Sequence, residues 1–151
     1  MKLAIISDTH GLLRPEVIEH IEGVDVILHG GDINKQSVVD ELRRYAPLYV
    51  VRGNNDKDWA ASLPLDLRFS LGGLAFHMVH DKRDLPADLA GVDVVVYGHS
   101  HRYAQEGRGG VLYLNPGSCG PRRFHQEITL AEMAIEDGAC RVEKIVLPHE
   151  P

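Results

Sequence analysis

The sequence predicts an α/β fold of two packed, mixed β-sheets flanked by helices, in one domain spanning residues 1–151. Three observations carry this. The short apolar runs Lys2–Ser7, Val24–Leu28 and Leu48–Arg52 are continuous rather than alternating, as in strands buried on both faces. Two segments of helical periodicity separate them, giving the strand–helix–strand–helix–strand order of right-handed βαβ crossovers. The second half then changes character. Its apolar runs are divided by Gly-containing turns, so it reads as mostly β.

Each element has a local reason. Lys2–Ser7 is short and rich in Ile and Leu, which fits a buried first strand. Pro15 suits the first turn of a helix, Val17, Ile18 and Ile21 give that helix an apolar face, and Gly23 ends it. After the strand Val24–Leu28, a helix over Lys35–Tyr45 places Val38, Val39 and Leu42 on one side. Asp40, Glu41, Arg43 and Arg44 face water, and Pro47 closes the helix before the strand Leu48–Arg52. Gly72-Gly73 between Leu67–Leu71 and Leu74–His80 is a hairpin signal. Val92–Tyr97, Val111–Leu114, Ile128–Ile135 and Arg141–Leu147 follow as strands. The last two read as an antiparallel pair around Glu136-Asp137-Gly138.

Composition bounds the function. A chain of 151 residues with 44% hydrophobic and 25% charged residues matches a soluble domain with its own core. Sixteen Lys plus Arg against 22 Asp plus Glu give a net charge of −6, which argues against nucleic-acid binding through bulk charge. Two cysteines, Cys119 and Cys140, are too few for a disulfide framework. The apolar start stops at Ser7-Asp8, too short for a signal peptide. No stretch approaches the roughly 20 apolar residues of a membrane helix. A cytoplasmic protein with no membrane partner is expected. The unusual count is histidine, of which there are nine.

Each apolar strand ends in polar residues and glycine. The clusters are Asp8-Thr9-His10-Gly11, His29-Gly30-Gly31-Asp32, Gly53-Asn54-Asn55-Asp56, His80-Asp81 and Gly98-His99-Ser100-His101. Alone, each has an ordinary explanation as a turn or a capped helix start. Parallel α/β sheets gather their sites at the carboxyl ends of strands, so five such loops are expected to meet in one crevice. Asp, His and Asn without thiolate suit Mn, Fe, Co, Ni or Zn rather than a Cys-rich structural zinc. The donors outnumber what one ion takes. Two ions about 3.5–4 Å apart, bridged by a shared carboxylate, would use them.

The set resembles the calcineurin-like metallophosphoesterase superfamily, whose pattern is D-x-H, G-D, G-N-H-[DE], H, then G-H-x-H. Here it reads Asp8-Thr9-His10, Gly31-Asp32, Gly53-Asn54-Asn55-Asp56, His80 and Gly98-His99-Ser100-His101. The short length and Asn115-Pro116-Gly117-Ser118 look most like the small YfcE-type phosphodiesterases. The resemblance implies a β-sandwich flanked by helices and a centre of two divalent ions, Mn foremost. It puts Asp8, His10 and His101 on one ion, Asn54, His80 and His99 on the other, and Asp32 between them. It further implies hydrolysis of a phosphoester substrate by a metal-bridging hydroxide. Two such ions would bring the formal −6 to about −2.

One position departs from the family pattern. Asn55 stands where many members carry a His thought to protonate the leaving oxygen. An amide only donates a hydrogen bond there, so Asn55 is expected to contact substrate rather than act as an acid. Phosphodiesters or activated aryl esters should then be favoured over alkyl monoesters. The remaining histidines have other readings. His29 is a candidate for orienting a ligand, His77 is set on the opposite sheet face from His80, and His20 faces solvent. His125 and His149 carry no spacing signal. Cys119 reads as a small buried residue, and Arg122-Arg123 as an exposed basic pair. The alternative to an enzyme is a scaffold on the same fold, as in the retromer's small subunit. The chain's acidity and lack of a basic stripe weigh against a nuclease. The β-rich second half offers faces for a homo-oligomer.

Overall fold

The computed structural model describes residues 1–123 and 126–148. The elements in order are β1 Lys2–Ile6, α1 Pro15–Ile21, β2 Val26–His29, α2 Gln36–Arg43 and β3 Leu48–Val50. A short 3-10 turn at Asp58–Ala60 precedes β4 Asp66–Leu71 and β5 Leu74–Val79. A second, at Lys82–Asp84, precedes β6 Val94–Val96, β7 Tyr103–Arg108, β8 Val111–Pro116, β9 Ile128–Glu136 and β10 Ala139–Leu147.

Two five-stranded mixed sheets result. The first has the order β10-β9-β1-β2-β3, with β1, β2 and β3 parallel and β9 and β10 antiparallel beside them. The second runs β4-β5-β6-β8-β7, with β5, β6 and β8 parallel and an antiparallel hairpin partner at each edge. The continuous apolar runs are explained by burial on both faces. Leu3, Ile5, Val26 and Leu28 point between the sheets, against Phe76, Met78, Val94, Val96 and Leu114. Ala4, Ile6 and Ile27 point the other way, under Val17 and Ile21 of α1 and Val38, Val39 and Leu42 of α2. Both helices therefore bury the faces that their periodicity predicts. Proline opens α1 as expected.

The outer face of the second sheet has a thinner cover. Val79, Val95 and Tyr97 there meet Leu85, Leu89 and Val92 from the segment after β5. The apolar pattern gives no strand over 103–108, yet β7 forms there. Its sequence is polar because it is an edge strand, largely exposed, held by pairing with β8 rather than by burial. Positive φ at both Gly109 and Gly110 closes that hairpin, as it does at Gly72-Gly73 and at Asp137-Gly138.

Candidate metal centre

The carboxyl ends of β1, β2 and β3 in one sheet and of β5 and β6 in the other lie along a common edge, and the loops beyond them are stitched together. Asp8 N–H donates to Gly31 O (3.0 Å), His10 N–H to Asp32 O (3.0 Å) and Gly98 N–H to His80 O (2.9 Å). His99 N–H donates to Asp8 Oδ2 (3.1 Å), which ties the loop after β6 to the loop after β1 and so joins the two sheets. The approach is close. A Cβ on Gly98 would sit 2.1 Å from Ser7 Oγ and 2.6 Å from Asp8 Oδ2, which only glycine avoids.

Five sequence-predicted ligands adopt left-handed backbone: Asp8 (φ 54°), His10 (45°), Asp32 (59°), His99 (77°) and His101 (63°). Each such residue costs on the order of 1–3 kcal/mol and persists only where its surroundings over-determine it. The braces are identifiable. The buried Asp56 carboxylate accepts from the backbone N–H groups of Asp32 (3.0 Å), Ile33 (2.8 Å), Asn34 (2.8 Å) and Gly53 (2.8 Å). Ser118 Oγ donates to Asp8 O (2.9 Å), and Asn115 Nδ2 to Gly98 O (3.1 Å). His29 is buried, and burial pushes its ring down to about 4, so it is neutral. Gly31 N–H donates to its Nδ1 (3.0 Å), leaving Nε2 to donate to Thr9 Oγ1 (2.9 Å). It thereby links the loops that carry His10 and Asp32.

At the centre, Asp8 Oδ1 lies 3.4 Å from His101 Nε2, 3.9 Å from His10 Nε2 and 3.8 Å from His80 Nε2. Asp32 Oδ2 lies 3.2 Å from His80 Nε2 and 3.8 Å from His10 Nε2. Two triads of ligand atoms follow, Asp8-His10-His101 and Asp8-Asp32-His80. Asp8 is common to both, while Asp32, given the shared position on resemblance, reaches His10 and His80. His99 Nδ1 lies 3.3 Å from Asn54 Oδ1, and its ring sits edge-on to His80 at 5.3 Å. These two are the more exposed members of the set.

The donors fit a divalent cation. Asp8 Oδ1 and His80 Nε2 are buried with no hydrogen-bond partner among the described residues. The 3.2 Å approach of His80 to Asp32 is an ion-pair contact without hydrogen-bond alignment. His80 Nδ1 donates to Gly30 O (2.7 Å), which in the neutral ring frees Nε2 as a ligand. Burial opposes charge on His80, but its contact with Asp32 and the charge of Asp8 push it up to about 9. Burial likewise raises Asp32, yet His80 and the Asn55 N–H hold it down at about 2. The pocket thus attracts positive charge, and without a metal that charge is a proton.

The other expectations fall out unevenly. Asn55 turns its backbone N–H (2.8 Å) and its amide (3.2 Å) to the Asp32 carboxylate, so it orients a candidate ligand. His20 is not simply solvent-facing. It lies against Glu132 of β9 at 2.8 Å because α1 packs across that sheet. His77 lies on the face away from the inter-sheet core, as its offset from His80 predicts. Cys119 is fully buried and its thiol is pushed up to about 12 by burial, which removes it as a nucleophile. Arg122 donates to Gln126 O (3.1 Å), and Arg123 is exposed. His125 and His149 lie outside the described residues.

Comparison with known proteins agrees with the motif reading. Residues 1–138 match the model of the calcineurin-like phosphoesterase superfamily domain. A probable metallophosphoesterase of Bacillus subtilis, YsnB, is 32% identical over 94% of this chain and 89% of its own. Among solved structures, a novel archaeal phosphodiesterase superposes with a TM-score of 0.81 at 27% identity, covering 97% of this chain and 100% of that one. Vps29 of Chaetomium thermophilum gives a TM-score of 0.78 at 20% identity over 97% of each chain, a likeness of fold alone. The five motifs, their convergence at one sheet edge and the extent of the family match lead to one conclusion: this chain belongs to the calcineurin-like phosphoesterase superfamily.

Proposed function

We propose that this protein is a metal-dependent phosphodiesterase whose centre takes two divalent ions, with manganese the first candidate. Asp8, His10 and His101 would hold one ion and Asn54, His80 and His99 the other, with Asp32 reaching both. The carrying observation is the pair of buried candidate ligand atoms, Asp8 Oδ1 and His80 Nε2, that have no hydrogen bond among the described residues, at the meeting point of two triads. A chain that had abandoned metal chemistry has no reason to keep such atoms, since an unsatisfied buried polar group costs about 1–3 kcal/mol. When bound, divalent ions supply positive charge to a phosphate and make water a competent nucleophile near neutral pH.

The protein's own residues do the rest. His80, fixed through Gly30 O, presents Nε2. Asn55 fixes Asp32 from the open side of the site, and Asp56 fixes the backbone behind it. Neither Asn55 nor any other group of the Gly-Asn-Asn-Asp loop delivers a proton to a leaving oxygen at ordinary pH. Esters whose leaving group departs as an anion are therefore favoured. With manganese-loaded protein, bis-p-nitrophenyl phosphate and p-nitrophenyl phosphate, which release the same anion, should both turn over faster than an alkyl monoester. A clear preference for the alkyl monoester contradicts the diesterase assignment. Absence of both bound metal and metal-stimulated turnover would leave the non-catalytic scaffold as the better reading.

A further inference from the structure

A cavity of about 660 Å³ opens beside His80 and His99. Its size is that of a small-molecule pocket. Leu65 and Val79 form an apolar part of its wall, and Arg52, Asp66, Asp84 and the paired Asp81 and Arg83 (2.6 Å) supply the charged part. The Arg52 Nε is already engaged, donating to Asp56 O (3.0 Å). Asp66 is the unusual member. It begins β4, and its side chain is half exposed.

Behind Asp66 lies His77, on β5 between Arg68 of β4 and Val95 of β6. His77 is fully buried, and its Nε2 lies 2.9 Å from Asp66 Oδ2. Its Nδ1 is buried and has no hydrogen-bond partner among the described residues. The proton therefore belongs on Nε2, which donates to the carboxylate. An apolar side chain would fill the space behind β5 without stranding a nitrogen, so core packing does not account for a histidine here. What the histidine does achieve is to hold one oxygen of a cavity carboxylate and so set where the other can accept.

We propose that Asp66, positioned by His77, reads the non-phosphate arm of the substrate and selects arms that carry hydrogen-bond donors, such as the hydroxyls of a polyol or sugar. The inference rests on the reading of the centre as a phosphate site. His80 and His99 line the cavity together with Asp66, so an ester arm that enters it from the centre has Asp66 in its wall. The carboxylate accepts from the arm, whereas an arm of equal length without donors displaces water from its free oxygen and offers no replacement.

Binding of sn-glycerol 3-phosphate and of propyl phosphate to the manganese-loaded protein tests this, because the two differ only in hydroxyls. Calorimetry should show glycerol 3-phosphate binding about tenfold tighter, the scale of one charge-assisted hydrogen bond. Asp66→Ala should bring it to the propyl phosphate value. His77→Phe should remove most of the difference, and His77→Gln, which keeps a donor behind Asp66, should restore part of it. Equal binding of the two esters by the wild-type protein, or a difference that survives Asp66→Ala, overturns the inference. Turnover of bis-p-nitrophenyl phosphate, followed in parallel, decides the phosphodiesterase reading separately, since the binding comparison needs no catalysis.

Discussion

Asp56 touches no candidate ligand atom directly, yet four backbone N–H groups converge on its carboxylate. Much of the centre is built in this way, by residues that hold the donors rather than supply them. His29 is the second case and makes a prediction in pH. Burial takes its folded value from 6.5 down to about 4. The unfolded chain therefore binds a proton as pH falls through about 6.5, and the folded chain does not until about 4. Stability from this group is complete above pH 6.5 and falls as pH drops through that window, by on the order of 3 kcal/mol in all. Urea denaturation at a series of pH values should show that slope in the wild type and a shallower one in His29→Gln, and identical slopes contradict it. The convergence of Asp8, His10, Asp32, His80 and His101 was legible in the sequence, since each follows an apolar run in a motif of metal-ligating residue types. The braces were not. Ser118 acts on a residue 110 positions away, and a lone serine after a proline-glycine pair reads as a turn. Nor does any side-chain pattern announce that five candidate ligands adopt positive φ.

The periodic elements were equally legible. β1, β2 and β3 alternate between two cores, and both short helices bury the face that their sequence marks. β7 escaped because an edge strand with exposed side chains has no apolar signature, and its existence depends on pairing with β8. The glycine turns carry the information instead, and Gly109-Gly110 marks the hairpin that the side chains hide. Gly98 shows what one missing Cβ does for function, because it lets the end of β6 approach Asp8. The side chains that a Cβ on Gly98 would press, Ser7 and Asp8, are fully buried, so Gly98→Ala should lower stability. It should lose about tenfold or more in metal affinity through displacement of Asp8 and His99, and calorimetric titration with manganese measures it. Wild-type affinity in that variant contradicts the close-approach account. Between the sheets, Phe76 is almost fully buried. Phe76→Ala should cost about 3–5 kcal/mol in urea denaturation, whereas a loss under about 1 kcal/mol would mean the sheets repack freely.

For the whole molecule, the two sheets pack face to face, and a cation at the edge where their strand ends converge is expected to tie the loops of both together. Manganese at 100 times its dissociation constant should add about 2.7 kcal/mol, a rise of roughly 5–10 °C in Tm. On the proposed ligand set, metal and proton compete for His80, whose folded value of about 9 lies above its unfolded 6.5. In the metal-free protein that stabilisation is complete below pH 6.5 and is lost as pH rises through 9. Metal binding at pH 7 should accordingly release about one proton, and affinity should rise with pH up to about 9, as calorimetry in two buffers of different ionisation enthalpy will show. The net charge of −6 argues against broad attraction of nucleic acid but not against an anionic substrate met at one cationic point.

The central claim, metal-dependent diester hydrolysis at the edge shared by the sheets, is tested most directly by a manganese titration of bis-p-nitrophenyl phosphate turnover in the wild type and in Asp32→Asn. The account predicts turnover that saturates with manganese in the wild type and is lost in Asp32→Asn, with far-ultraviolet circular dichroism unchanged. Equal, metal-stimulated turnover in both proteins would place the chemistry elsewhere.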